Sequence, residues 1–162
     1  MPTSHRLQHL GGEGKLAGIS VMEAPDWPSV PPLEPKQGVV HFKLLLTTAA
    51  LFNESGTCWL PPGLSPVNDN GVTLWRGDLR ASKGVTVAGV TLVSACVGKP
   101  VKIGGWDIAS NKPRPLTGHI PAGSVYFCRA QASEIENIKQ LHGAKLGLRT
   151  EYGFGHVLIG NW

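Results

Sequence analysis

The sixteen residues from Gly147 to Trp162, GLRTEYGFGHVLIGNW, constrain the fold of this chain more than any other stretch. Gly147, Gly153 and Gly155 fall within nine residues, with Arg149, Tyr152 and Phe154 between them. Glycines at that density admit positive φ and a close approach by a ligand or another chain. The run from Gly155 to Gly160 is short, apolar and bounded by glycine, which predicts a buried strand. A loop carrying N–H donors, a guanidinium and two aromatic rings therefore sits against a strand, an arrangement that suits a polyanion bound through backbone amides. A glycine-rich hairpin without a ligand satisfies the same pattern. Two nucleotide-loop motifs are excluded. No GxxxxGK[ST] follows, and Gly153-Phe-Gly155 does not extend to GxGxxG because position 158 is Leu.

Glycine and proline recur through the rest of the chain. The 21 Gly and 13 Pro of 162 residues exceed the usual share and favour strands joined by elaborate loops over a helical bundle. The length suits one domain, or a domain and a half, with a core of its own. Charged residues make up only 16%, so much of the surface is neutral, loop-covered or occupied by partners. Residues 1–98 carry seven basic and seven acidic side chains, whereas residues 99–162 carry eight and four, so the whole net charge of +4 lies in the second part. A basic segment with interleaved aromatics suits nucleic acid, although a modest +4 also serves plain solubility. Cys58, Cys96 and Cys128 are odd in number and widely spaced, which reads as reduced, mostly buried thiols in a cytoplasmic protein. With no signal peptide and no apolar run long enough to span a bilayer, no membrane association is expected.

In chain order, HRLQHLGGEGKLAGISVMEAP reads as a helical or extended lead-in, a tight Gly-Gly-Glu-Gly turn and a strand. His5 and His9 have the i, i+4 spacing of a metal pair on a helix, but no third ligand lies nearby and solvent- or partner-facing roles are preferred. Asp26 to Gln37 is proline-punctuated and reads as a linker. A strand follows from Gly38 to about Thr47, with His41 and Lys43 on one face and Val40, Phe42 and Leu44 on the other. Asn53 to Gly84 reads as a long irregular insertion of the kind that is functional or partner-bound. Within it, Asn70-Gly71 signals a hairpin leading into a small strand VTLWR, and Trp59 and Trp75 are expected beneath it. Val85 to Val97 is a strand with Gly89 as a candidate bulge.

Lys99 to Leu116, KPVKIGGWDIASNKPRPL, combines a glycine pair, Trp106, Asp107 and Lys112-Pro-Arg114-Pro. Its prolines predict an extended, preformed conformation that suits tracking a phosphate backbone or filling a groove on a partner. A rigid surface excursion with solvated cations fits equally. Asp107 is expected to cap a turn. Pro121-Ala-Gly123 turns into a strand SVYFCRA. Ser133 to His142 is a helix, with Ser133 and Glu136 as a capping box, Ile135, Ile138 and Leu141 on one face, and Gly143 closing it. Strand, helix, glycine loop and last strand form a β–α–β ending of ferredoxin-like type.

Three features taken together, GGWDIASNKPRPL, the strand entry PAGSVYF and the terminal GFGHVLIGNW, resemble one family, and GGEGK from Gly11 to Lys15 agrees with them. They resemble the C-terminal part of the repeat-associated mysterious protein (RAMP) superfamily, and more narrowly the Cmr-module subunit of type III-B CRISPR effectors that grips the 5′ handle of the guide RNA (crRNA). The resemblance implies an α+β, ferredoxin-like, RNA-recognition-motif-type antiparallel sheet with long loop insertions, no cofactor or metal, and no catalytic residue of its own. It implies RNA held by the terminal loop, Gly147, Arg149, Tyr152, Gly153, Phe154, Gly155 and His156, together with Trp106, Lys112 and Arg114. Arg149 is expected on phosphate and Tyr152 or Phe154 near a base. Family members are about twice as long, and their first ferredoxin-like half precedes the GGEG turn. Residues 1–37 are accordingly expected to be a lead-in pairing with a separate N-terminal half, and residues 38–162 the C-terminal RAMP domain with its insertion at about 53–84. The implied partners are crRNA, a polymerase-like large subunit and backbone RAMP subunits.

Two other readings remain open. Some relatives in the superfamily are endoribonucleases that process CRISPR transcripts with a loop histidine, and His156 and His119 are the candidates for such acid–base work. Alternatively the chain is a pure protein–protein adaptor, its proline-rich and insertion loops docking neighbours.

Overall fold

The computed structural model describes residues 6–10, 14–20, 22–23 and 26–162. Most of it is antiparallel β-structure with one short α-helix. Strands β1 (Arg6–Leu10) and β2 (Lys15–Ile19) form a separate two-stranded hairpin. Its turn residues 11–13 and His5 lie outside the described residues, so neither the GGEG turn nor a His5–His9 pair is placed.

The core is a six-stranded sheet in the order β10-β3-β9-β6-β5-β4, every neighbouring pair antiparallel. Strand β3 (Val39–Leu46) alternates strictly, with Val40, Phe42, Leu44 and Leu46 buried and the residues between them half-exposed. That period of two marks a strand covered on one face. Strand β9 (Val125–Gln131) repeats the pattern with Tyr126, Cys128 and Ala130, and pairs Phe42 with Cys128. Helix α1 (Ile135–Gln140) closes this face through Ile138, with Leu141 just beyond its end. The chain then returns as β10 (Val157–Gly160) on the far side of β3, so β9 and β10 run parallel with β3 between them.

The helix start differs from the capping box. Residues 132–134 form a 3-10 turn, and no side chain caps the following helix. Glu134, not Glu136, makes the long-range contact, accepting from the Ala88 N–H at 3.1 Å and from Asn137 at 2.9 Å. Tertiary pairing to the neighbouring strand outweighs the local cap.

Nor is Asn53 to Gly84 irregular throughout. It carries β4 (Leu64–Asp69) and β5 (Val72–Arg80), which extend the sheet beyond β6 (Thr86–Cys96). Asn70 and Gly71 both have positive φ, as the tight turn between paired strands requires. The bulge falls where it was expected: Ala88 and Gly89 together oppose Asp78, Gly89 has φ +58°, and its N–H donates to the Asp78 carboxylate at 2.9 Å. Trp59 and Trp75 meet edge to face at 5.1 Å, but Trp59 stays exposed because only one side of the pair is covered. Among the thiols, Cys128 is buried, Cys58 half-buried and Cys96 exposed, so only one of the three lies in the core rather than most of them. The proline-rich segment before β3 is packed: Leu33 is in the core, and the Pro28 and Pro32 carbonyls bond to His142 and Asn161.

Candidate nucleic-acid interface

The proline-punctuated stretch is a paired ribbon rather than a free extended rod. Strand β7 (Val101–Asp107) and strand β8 (Lys112–His119) form a hairpin in which Trp106 stands opposite Pro113 and Gly105 opposite Arg114. Prolines are tolerated because a two-stranded ribbon leaves the outward amide positions without a ladder partner. Asp107 caps the turn, its carboxylate accepting from the N–H groups of Ala109 (3.0 Å) and Ser110 (3.4 Å). Hydrogen bonds from Ser110, from both side chain and backbone, and then from Ala109 hold its pKa below the ordinary carboxylate value. The hairpin projects with Ile108 at its tip 89% exposed and Trp106 57% exposed. A lone two-stranded ribbon with bare apolar residues is marginal in water and calls for a neighbour.

The glycine loop is built by the backbone. Gly147 and Gly155 both have positive φ, and a β-carbon at Gly147 would meet the Leu51 carbonyl oxygen at 2.3 Å. Thr48, at the end of β3, clamps the loop by donating to the Gly153 carbonyl (2.8 Å) and accepting from the His156 N–H (3.0 Å). The Gly155 N–H donates to Ala49 (2.8 Å), and the Tyr152 and Gly153 N–H groups donate to Arg149 and Thr150 (both 3.1 Å). These amides already have acceptors within the chain. The amides of Tyr152, Gly153, Gly155 and His156 are therefore spent within the chain rather than offered to a ligand. Arg149 takes a left-handed conformation at φ +55°, with its guanidinium 3.4 Å from the exposed carboxylate of Glu54.

Hairpin and loop meet in a cleft of about 170 Å³ lined by Arg114 and Pro115 from β8, Ile103 from β7, and Arg149, Tyr152 and Phe154 from the loop. Tyr152 is 65% exposed. Phe154 is held from below by the ring of His119, centroids 4.6 Å apart. His119 is 1% exposed; its Nδ1 bonds to the Thr117 carbonyl at 3.0 Å, and its Nε2 is buried without a hydrogen-bond partner among the described residues. Such an orphaned polar atom beside a cleft is the kind of group a ligand satisfies.

Of the residues singled out in the sequence, the cleft gathers Arg114, His119, Arg149, Tyr152 and Phe154. Trp106 and Lys112 lie farther out on the hairpin. His156 turns elsewhere: its Nδ1 meets the Thr47 hydroxyl and its ring packs against Trp27 at 5.4 Å. Burial, then the charges of Lys145 and His142, push its pKa below the ordinary 6.5. Ile103 and Glu54 are additions the sequence reading missed, since nothing local in either segment ties it to residue 149. Among the described residues, no three His, Cys, Asp or Glu side chains are grouped to hold a metal ion, and no helix is long and apolar enough to cross a membrane.

The family described as CRISPR-associated protein (Cas_Cmr3) covers residues 2–162. No curated protein matches the chain.

Proposed function

This chain belongs to the Cas_Cmr3 family of CRISPR-associated proteins, subunits of the type III Cmr complex, and from that membership we propose that it is a non-catalytic scaffold holding the 5′ handle of the guide RNA. The observation that carries the reading is the cleft itself, where two guanidiniums, Arg114 and Arg149, flank two aromatic rings, Tyr152 and Phe154. Guanidiniums pair with phosphates, while exposed aromatic faces stack on unpaired bases. The strand order β10-β3-β9-β6 and the crossover through α1 support a ferredoxin-like, RAMP-superfamily assignment in which the β4–β5 hairpin stands in place of the first crossover helix. The His156 ring is engaged by Thr47 and packed against Trp27, away from the cleft, which supports a holding role over acid–base catalysis.

The partners in this reading are crRNA, a polymerase-like large subunit and backbone RAMP subunits, assembled in the cytoplasm. Exposed Leu7, Leu16 and Ile19 on the first hairpin, and Ile108 and Leu116 on the second, are the surfaces such neighbours would cover. The test is purification of the tagged chain from its host, with mass spectrometry of co-purifying chains and sequencing of bound RNA. Recovery of a large subunit and guide RNAs sharing one 5′ handle is expected. A clean chain without RNA contradicts the reading.

A further inference from the structure

The face of the six-stranded sheet opposite α1 takes no part in the cleft, and it carries a pattern of its own. On the neighbouring strands β3 and β9 the outward side chains pair as His41 with Arg129 and Lys43 with Phe127. Trp162, two residues past β10, lies across that pairing. Its indole N–H donates to the carbonyls of Phe42 (2.9 Å) and Cys128 (3.0 Å), one on each strand. Its ring meets His41 and Phe127 edge-on, with centroids 5.2 and 5.5 Å away. Those contacts fix the indole while leaving 48% of the residue exposed. Beside it opens a cleft of about 530 Å³ lined by Pro32, Glu34, Lys36, His41, Asn161 and Trp162.

We propose that this open face is a second site for single-stranded RNA, where an unpaired base stacks on Trp162 in the cleft and Lys36, Lys43 and Arg129 take the flanking phosphates. Aromatic side chains on the central strands of an antiparallel sheet are the means by which sheet-based RNA modules stack splayed bases. The volume is within the range of small-ligand clefts, ample for one nucleotide. Lys36 is exposed and Lys43 and Arg129 are half-exposed. Absence of a side chain at Gly160 leaves room for the stem of Lys43, which a β-carbon there would meet at 2.7 Å.

Two carboxylates face these cations. Asp69 is engaged by Arg76 at 2.8 Å and stands 4.0 Å from Arg129, so Arg129 keeps its charge largely available. Glu34, in the cleft, is an acceptor suited to an exocyclic amino group of a base. The choice of RNA over DNA rests on the function proposed above; the site itself does not depend on the Arg114–Arg149 cleft, which lies toward the opposite end of β3.

The experiment is a titration of the full nitrogen-15-labelled chain, at low salt, with an oligocytidylate of about ten nucleotides, a length within the range one sheet module covers. The indole N–H resonance of Trp162, identified by its loss in Trp162→Phe, reports the site directly. It is expected to shift together with the amides of Lys36 and His41, and Trp162→Leu is expected to weaken binding about tenfold, the size of one lost stack. Because Trp162 is anchored into the sheet, the double variant Lys36→Gln with Arg129→Gln serves as a fold-sparing control, expected to weaken binding severalfold and to flatten its salt dependence. Shifts confined to residues around Arg114 and Arg149 would overturn this site and leave the cleft standing. No shifts anywhere would overturn both.

Discussion

A β-carbon placed on Gly155 would lie 1.9 Å from the carbonyl oxygen of Leu146. The Leu146 N–H in turn donates to the Gly155 carbonyl at 2.8 Å, so the two segments are stitched at the point of closest approach. Gly155→Ala therefore forces both a steric clash and a left-handed φ of +76°. It is expected to destabilise the protein by about 3 kcal/mol or more. Gly153→Ala, with φ +90° but nothing within 4 Å, should cost only about 1–2 kcal/mol. Denaturant unfolding of the two variants checks the difference in size.

Arg114 and Arg149 come from segments 35 positions apart and line one cleft. If each contacts a phosphate, replacing both with Gln lowers the slope of log affinity against log salt by about 1.4, because each contact to a single strand contributes roughly 0.7. Anisotropy titrations of a handle-bearing RNA across a salt series measure that slope. An unchanged slope with unchanged affinity would place the phosphates elsewhere.

Much of the architecture is visible in local residue patterns. Strict alternation from Val39 to Leu46 marks β3, Asn70-Gly71 marks its hairpin, and Gly89 marks the bulge, since each depends on neighbours along the chain. Three features were hidden for the opposite reason. The pairing of Trp106 with Pro113 turns a proline-rich rod into a ribbon, the bond from Ala88 to Glu134 replaces the helix cap, and Glu54 meets Arg149 across 95 positions. The loop glycines allow the tight turns their spacing suggests, but the Leu148 and Gly155 amides are taken by the carbonyls of Leu51 and Ala49, partners that only the fold supplies.

The pKa of His156 is lowered below 6.5 by burial and then by Lys145 and His142. Folding therefore favours the neutral ring. Above 6.5 both folded and unfolded chains are neutral at this site and it contributes its full stability. As the pH falls below 6.5 the unfolded chain takes up the proton first, and that stability is lost progressively down to the folded value. His156→Gln should remove this part of the acid sensitivity. Denaturation midpoints for the two proteins, compared on either side of 6.5, should show wild type losing more stability on the acid side.

Cys128 is buried and its thiol is pushed well above the usual range by that burial, whereas Cys96 is exposed at the end of β6. The thiolate is the reactive form, so Cys96 should react with a thiol reagent in the native state and Cys128 only after unfolding. Cys58, half-buried with its Sγ directed to the Leu60 carbonyl at 3.4 Å, should be intermediate. Peptide mapping of timed labelling resolves the order.

The measurement that bears most directly on the central claim is ultraviolet cross-linking of the guide RNA within the intact complex, followed by identification of the modified residues. Cross-links from the 5′ handle to Tyr152 or Phe154 are expected, lost when Arg114 and Arg149 are both reversed in charge. Handle cross-links that fall entirely on other subunits, with this chain present in the complex, would contradict it.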